Sequence, residues 1–258
     1  VRDGRTRFIV DGKAIPPCFY VTSNTGLKEN GVSQIGDFRD AGVRVYLTFL
    51  SLGRREDWFP AKWGIWTGPD QYDMTEIDEL LWRILRVDPE GYVMFYMITD
   101  PYQSWGVENP TEVTCDQDGK KAVVNLHTVD WGREPGKNER YAPSPLSSVL
   151  REETVKAIRA VTDPVRQSEA GKAVIGYHIA GGNDGQFFHW FKLDQDDFHL
   201  ADYSEAALRG FRDWLNRFYE GDVNLLRTAW YRHDISFDIA EIPSGERRKD
   251  PGFFLEIP

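Results

Sequence analysis

Strands alternating with amphipathic helices, a nearly unbroken apolar run at residues 92–99 and an Asp-Gly turn near the start predict a parallel α/β fold. Four strand–helix units are legible, preceded by a short β-hairpin. Segment 7–15 reads as two short strands around Asp11-Gly12, a strong two-residue hairpin signal. Residues 17–21 form the first buried strand, with Cys18 as a buried free thiol. Ile35, Phe38 and Ala41 recur at helical spacing, with Asn30 as a candidate cap. After Gly42, residues 43–50 are rich in β-branched and aromatic side chains and form the second strand.

The third unit carries the clearest pattern. Thr75 with Asp78 predicts a capping box, opening a helix with Ile77, Leu80, Leu81, Ile84 and Leu85 on one face. Asp88-Pro-Glu-Gly91 ends it. Residues 92–99 are almost continuously apolar, as expected of a parallel strand buried on both faces. Residues 103–145 lack strong periodicity and read as a long loop of the kind that carries function. A helix over about 147–161 turns Leu150, Ala157, Ile158 and Val161 inward, and residues 173–180 form the fourth strand. Asp202 and Glu205 are read as caps of a helix whose apolar face is Phe211, Trp214, Leu215, Phe218 and Tyr219. Gly221 ends that helix, Asp222 starts a shorter one through Trp230, and the remainder reads as loop. With no internal repeat or interdomain linker, residues 1–258 are expected to form one partial domain.

Composition narrows the function. A net charge of −10 disfavours a nucleic-acid partner, because phosphate binding needs a basic face. No apolar run approaches the roughly 20 residues that span a bilayer, so a soluble protein is expected. Nine Trp, eleven Tyr and fifteen Phe supply core, and Trp and Tyr also stack on sugar faces while offering a polar edge. Cys18 and Cys115 match no zinc or redox spacing. The chain starts at Val1, so a removed leader, and with it secretion or a periplasmic location, stays open.

Several segments together resemble the catalytic domain of clan A glycoside hydrolases, especially β-galactosidase-like proteins related to family 42. They are Tyr72-Asp-Met-Thr-Glu-Ile-Asp78, Asp88-Pro-Glu-Gly-Tyr92, Val174-Ile-Gly-Tyr-His-Ile-Ala180, and Phe211-Arg-Asp-Trp-Leu215 with Ala229-Trp230 and Ile242-Pro243. The resemblance runs from about residue 8 to the end and implies the N-terminal half of a TIM (β/α)8 barrel. The fifth to eighth strands are not found in the sequence and are expected from further sequence or another chain. It also implies a retaining hydrolase of a β-linked glycoside, with galactosides among the candidates. One carboxylic acid protonates the leaving oxygen while a second carboxylate, about 5 Å away, attacks the anomeric carbon. No cofactor and no metal are implied.

The family places its acid/base glutamate just after the fourth strand, where this chain has Gln186-Phe187 instead of Glu-Trp. An amide is nearly isosteric with a carboxyl but cannot act as a general acid. Gln186 is then a substitution that traps substrate, a natural loss of activity, or a surface amide; alternatively Asp184 holds the role in a shifted loop. The nucleophile is expected after a seventh strand, and no residue here is nominated. Candidate sugar contacts are Asn183, His178, Asp100, Tyr102, Trp105, Tyr20 and Trp190, with Asn24, Trp131 and His189 as further possibilities. Each has a plain alternative: His178 as a core histidine, Asn183 and Asp100-Pro101 as turn residues, the indoles as loop packing. The rival functions are a catalytically silent carbohydrate-binding barrel and a half-barrel that assembles with a complementary chain.

Overall fold

The computed structural model describes residues 4, 6–22, 29–53, 64–75, 77–124, 129–137, 139–182 and 199–249. The chain forms two compact units, the first from residues 1–103 and 153–187, the second from 104–152 and 188–258. Elements are numbered in chain order.

The first unit opens with the hairpin β1 (Phe8–Val10) and β2 (Lys13–Ile15). Asp11 and Gly12 both have positive φ, 49° and 76°, the backbone that a two-residue turn of this kind requires. Then follow β3 (Tyr20–Thr22), α1 (Glu29–Asp40), β4 (Val45–Ser51), the small ribbon β5 (Trp66–Gly68) and β6 (Gln71–Tyr72), α2 (Ile77–Leu85) and β7 (Tyr92–Ile98). The unit closes with the later part of α4 (Ser148–Gln167) and with β11 (Val174–Ala180). Its parallel sheet has the order β11-β7-β4-β3, so each successive strand is laid beside the one before it. Among the described residues, β3 and β11 are its unpaired edges.

Alternation sorts the sheet's side chains onto two faces. Tyr20 stacks on Phe38 of α1, with ring centroids 4.0 Å apart. Tyr20 is in register with Tyr46, so that side is the helix side, and it also carries Val93, Phe95 and Met97, all fully buried. The opposite side holds a row of rings across three neighbouring strands, Phe49, Tyr96 and His178. Tyr96 and His178 stack at 4.8 Å and 11°, and Phe49 lies 4.9 Å from Tyr96. Phe49 and Tyr96 are half-buried and His178 is exposed. Residues 92–98 were expected to be buried on both faces; instead they alternate between buried and half-buried, because the described residues cover only the helix side fully.

Helix α2 buries the five residues its periodicity picks out. Its entry differs from a capping box: Asp73 accepts from the Thr75 N–H at 3.1 Å and from the Thr75 hydroxyl at 2.7 Å, so Thr75 is engaged backwards. At the end of α2, Asp88 is a buried carboxylate accepting from Tyr46 Oη at 2.8 Å and Arg44 Nη1 at 3.0 Å. Burial, then the bond to Asp88, pushes the Tyr46 phenol well above its ordinary pKa. Cys18 is exposed, not buried, because β3 begins only at Tyr20 and the preceding Pro16-Pro17 supplies no N–H to a ladder.

The second unit replaces the expected loop with ordered structure. Helix α3 (Trp105–Glu108) precedes a three-stranded antiparallel sheet of β8 (Ala122–Val124), β9 (Val129–Trp131) and β10 (Arg140–Tyr141), in the order β10-β8-β9. Ala122, Val124, Val129 and Ala142 pack together beneath Trp131. Strands this short are too brief to register as alternation in sequence. Helices α5 (Glu205–Phe218) and α6 (Val223–Trp230) follow, and Leu215, Tyr219 and Leu226 pack with Ile235 and Ala240. The N-cap of α5 is Ser204, which accepts from the Ala207 N–H at 3.1 Å; Asp202 instead accepts from the N–H groups of Ser204 and Cys115. Asp222 caps α6 as expected. Trp214 and Phe218, read as core, are exposed, since the packed stripe centres on Leu215 and Tyr219. The tail is not wholly loop: residues 237–239 make a 3₁₀ turn and α7 spans Gly245–Lys249.

Arg133 clamps Glu139 through Nη1 and Nη2, at 2.5 and 2.6 Å, and also reaches Asp130. Arg133 holds the Glu139 carboxyl down to about 2, burial opposing it. A carboxyl depressed in the folded state stabilises the protein above its ordinary value of 4.5 and stops doing so as pH falls towards 2. Glu139→Gln is therefore expected to cost about 0.5–1 kcal/mol in urea denaturation at pH 7, with screening at this partly open site keeping it small. The difference should vanish by about pH 2; an unchanged difference there would refute the pairing.

Candidate functional site

In parallel α/β folds, sites form where strands end at their carboxyl side. In the first unit that edge is drawn tight by polar bonds. The Leu52 N–H donates to Ile98 O at 2.8 Å, and the Gly53 N–H to Asp100 O at 2.9 Å, joining the exits of β4 and β7. Thr99 donates to Ala180 O through its N–H at 2.8 Å and its hydroxyl at 2.9 Å, joining β7 to β11. Asp100 Oδ1 then accepts from the Gly182 N–H at 2.8 Å. A Cβ on Gly53 would fall 2.1 Å from the Pro101 carbonyl carbon, so only glycine lets these two backbones meet. Trp66 joins the cluster: its N–H donates to Leu52 O at 2.6 Å and its ring meets Tyr102 edge-on at 5.4 Å. The Trp66 indole Nε1 is buried with no hydrogen-bond partner among the described residues.

The expected site residues therefore fall apart into groups. Asp100 and Tyr102 sit together at this edge, both buried. His178 lies two residues inside β11, exposed on the face opposite the helices, while Tyr177 stacks on Phe95 on the helix side. Tyr20 is not at the edge: it opens β3, faces α1 and donates its hydroxyl to Gln34 Oε1 at 2.7 Å. Burial pushes its phenol pKa up. Trp105 belongs to the second unit, where it is fully buried in α3 and offers no open ring face. Asn183, Asp184, Gln186 and Trp190, with Asn24 and His189, lie outside the described residues. Gly53, Trp66 and Thr99 were missed. A glycine after an apolar strand was the one signal available for them, since the stretch that holds Trp66 has no readable pattern.

The second unit has its own polar cluster. The buried Asp116 meets His199 Nδ1 through Oδ2 at 2.6 Å, and its Oδ1 accepts from the N–H groups of Asp118 and Lys120. Trp131 stacks on the His199 ring at 5.0 Å and 16°. The neighbouring Cys115 thiol is pushed up to about 11 by burial and then by Asp202 and Asp116. It is thus a protonated thiol at neutral pH, not a nucleophile. No group of three or more metal-ligating side chains occurs among the described residues. No helix there is long and apolar enough to cross a membrane.

No protein-family model and no curated protein matches the chain. Among solved structures it is similar to the β-galactosidase of Rahnella sp. R3, with a TM-score of 0.51 and 16% identity. The match covers 92% of this chain and 29% of that enzyme, so the chain spans under a third of the enzyme's length. At this identity the likeness is one of fold: a mixed α/β arrangement with a parallel sheet and several helices, as in part of a glycoside hydrolase.

Proposed function

We propose that the chain is the first part of a (β/α)8 catalytic domain that binds β-linked glycosides, galactosides among them, at the carboxyl edge of its parallel sheet. The similarity over 92% of the chain to a β-galactosidase carries this reading. The tight convergence of Gly53, Asp100 and Gly182 at that edge supports it. In this reading the remaining strands come from further sequence or from another chain. Gln186 occupies the acid/base position of a retaining hydrolase, with Asp184 as the alternative. No cofactor enters.

An amide at position 186 can hold a glycosidic oxygen but cannot protonate it. That residue favours a second reading, a carbohydrate-binding protein that turns over little or nothing. The two are separated in the complete polypeptide that carries this sequence. Gln186→Glu is expected to raise kcat on p-nitrophenyl and alkyl β-glycosides about 10²–10⁴-fold, the usual worth of a general acid. The gain in kcat/KM, which reports the glycosylation step alone, should be far smaller on dinitrophenyl glycosides, whose leaving group needs no proton. Loss of that activity on Asp184→Ala, with position 186 inert, would move the acid to Asp184. No hydrolysis by either form across a broad glycoside panel would end the enzyme reading, and binding without turnover would leave the silent protein.

A further inference from the structure

The exits of three neighbouring strands meet on one residue. Asp100 accepts from β4's exit through its backbone oxygen, bonded to the Gly53 N–H, and from β11's exit through Oδ1, bonded to the Gly182 N–H. The second bond joins residues 82 positions apart, so it is not the local Asx turn that an Asp-Pro pair ordinarily signals. Gly182 takes φ +78°, a backbone open to few residues but glycine, and its N–H is aimed at the carboxylate in that conformation. Burying a carboxylate is costly, and Asp100 is 4% exposed. A fold needing only a sealed strand end would be served by an apolar side chain.

We propose that Asp100 is a positioning residue of the glycoside site: it fixes the backbone at Gly182, four residues before Gln186, and acts on bound sugar only through that backbone. The role rests on the glycoside reading, but the latch itself can be measured without it. Asparagine at position 100 keeps an oxygen where Oδ1 stands and can accept the same bond. Alanine removes the acceptor. Glutamate keeps the charge but carries the oxygen one methylene further and misplaces it.

The three variants are compared in the complete polypeptide by hydrogen exchange of the peptide covering Gly181 and Gly182, and by titration with p-nitrophenyl β-galactoside and β-glucoside. Far-UV circular dichroism confirms folding. Asp100→Ala and Asp100→Glu are expected to speed exchange at Gly182 at least tenfold and to weaken glycoside binding at least tenfold. Asp100→Asn should restore both to within threefold of the parent. Should alanine fail to fold, the contrast between glutamate and asparagine decides: equal behaviour of the two overturns the positioning role, because charge and burial alone would then suffice. A folded alanine variant with unchanged Gly182 exchange overturns it as well. Faster exchange with undiminished sugar binding also overturns it, since the backbone would then not matter to the ligand. A parent protein that binds neither probe defeats the glycoside reading and with it the role in binding, while the exchange ratios still report whether Asp100 holds Gly182.

Discussion

Gly53→Ala is expected to lower stability by about 3–4 kcal/mol, near the top of what adding a single methyl to a packed site does. The added carbon would stand 2.1 Å from the Pro101 carbonyl carbon, 2.2 Å from Tyr102 N and 2.4 Å from Pro101 O. All three are backbone atoms, so no rotamer change relieves the clash. The chain after β4 must move, and the bonds from Gly53 N–H to Asp100 O and from Trp66 N–H to Leu52 O move with it. For a protein of this size the shift corresponds to a fall in melting temperature of roughly 6–15 °C. Gly36→Ala serves as the control. That glycine lies within α1, and its new methyl would meet nothing nearer than Val87 Cγ1 at 3.8 Å. Relief of helical glycine should leave the control neutral or stabilised by up to about 1 kcal/mol. Thermal and urea denaturation decide the matter, and a Gly53→Ala protein within about 1 kcal/mol of the parent would show the crowding to be absent.

Asp88→Ala is expected to cost about 3 kcal/mol at the other end of the same sheet. Removing the carboxylate strands the Tyr46 hydroxyl, whose remaining partner is Val43 O at 3.3 Å, and unpairs Arg44. Losing one side of a buried charged pair usually costs 3–5 kcal/mol, and the lower bound applies because Arg44 still reaches water. Asp88→Asn retains an acceptor and should cost about half as much. Adding Tyr46→Phe to Asp88→Ala removes the orphaned hydroxyl, so the double variant should be about 1 kcal/mol better than the sum of the singles. Strict additivity would mean that the two side chains do not share the bond. Arg44 and Asp88 precede β4 and β7, whereas the edge proposed to bind glycosides follows them. Loss of sugar affinity in a folded Asp88 variant is therefore not expected.

Where one physical signal dominated, the fold was legible. The face of α2 was readable because five large aliphatic residues recur at helical spacing with nothing competing. The first hairpin was readable because Asp-Gly suits a backbone that few other pairs adopt. The three-stranded sheet of the second unit was not, since strands of two or three residues are too short to show a period even when their partners lie close by in sequence. Trp214 and Phe218 show the opposite failure: an aromatic stripe wider than the contact it serves, which periodicity cannot trim. At the candidate site, Asp100 and Tyr102 were accessible to reasoning because they follow an obvious strand. Tyr20 lies on the helix side because its register beside Tyr46 puts it there, and a register with a neighbouring strand is not written in a strand's own apolar run. The bond from Asp100 to Gly182 spans a distance along the chain that no local pattern reports.

The division of the chain between its two units bears on synthesis. Residues 104–152 interrupt the first unit, so β7 leaves the ribosome long before its neighbour β11 exists. At 5–20 residues per second, roughly 4–15 s separate the completion of Ile98 from that of Val174. During that interval the nascent chain presents the whole length of β7 as an open parallel edge, with Phe95 and Met97 on one side and Tyr96 on the other. An emerging polypeptide in that state offers a binding site to chaperones and to sister chains on the same message. Slower translation across residues 99–173 lengthens that exposure in proportion.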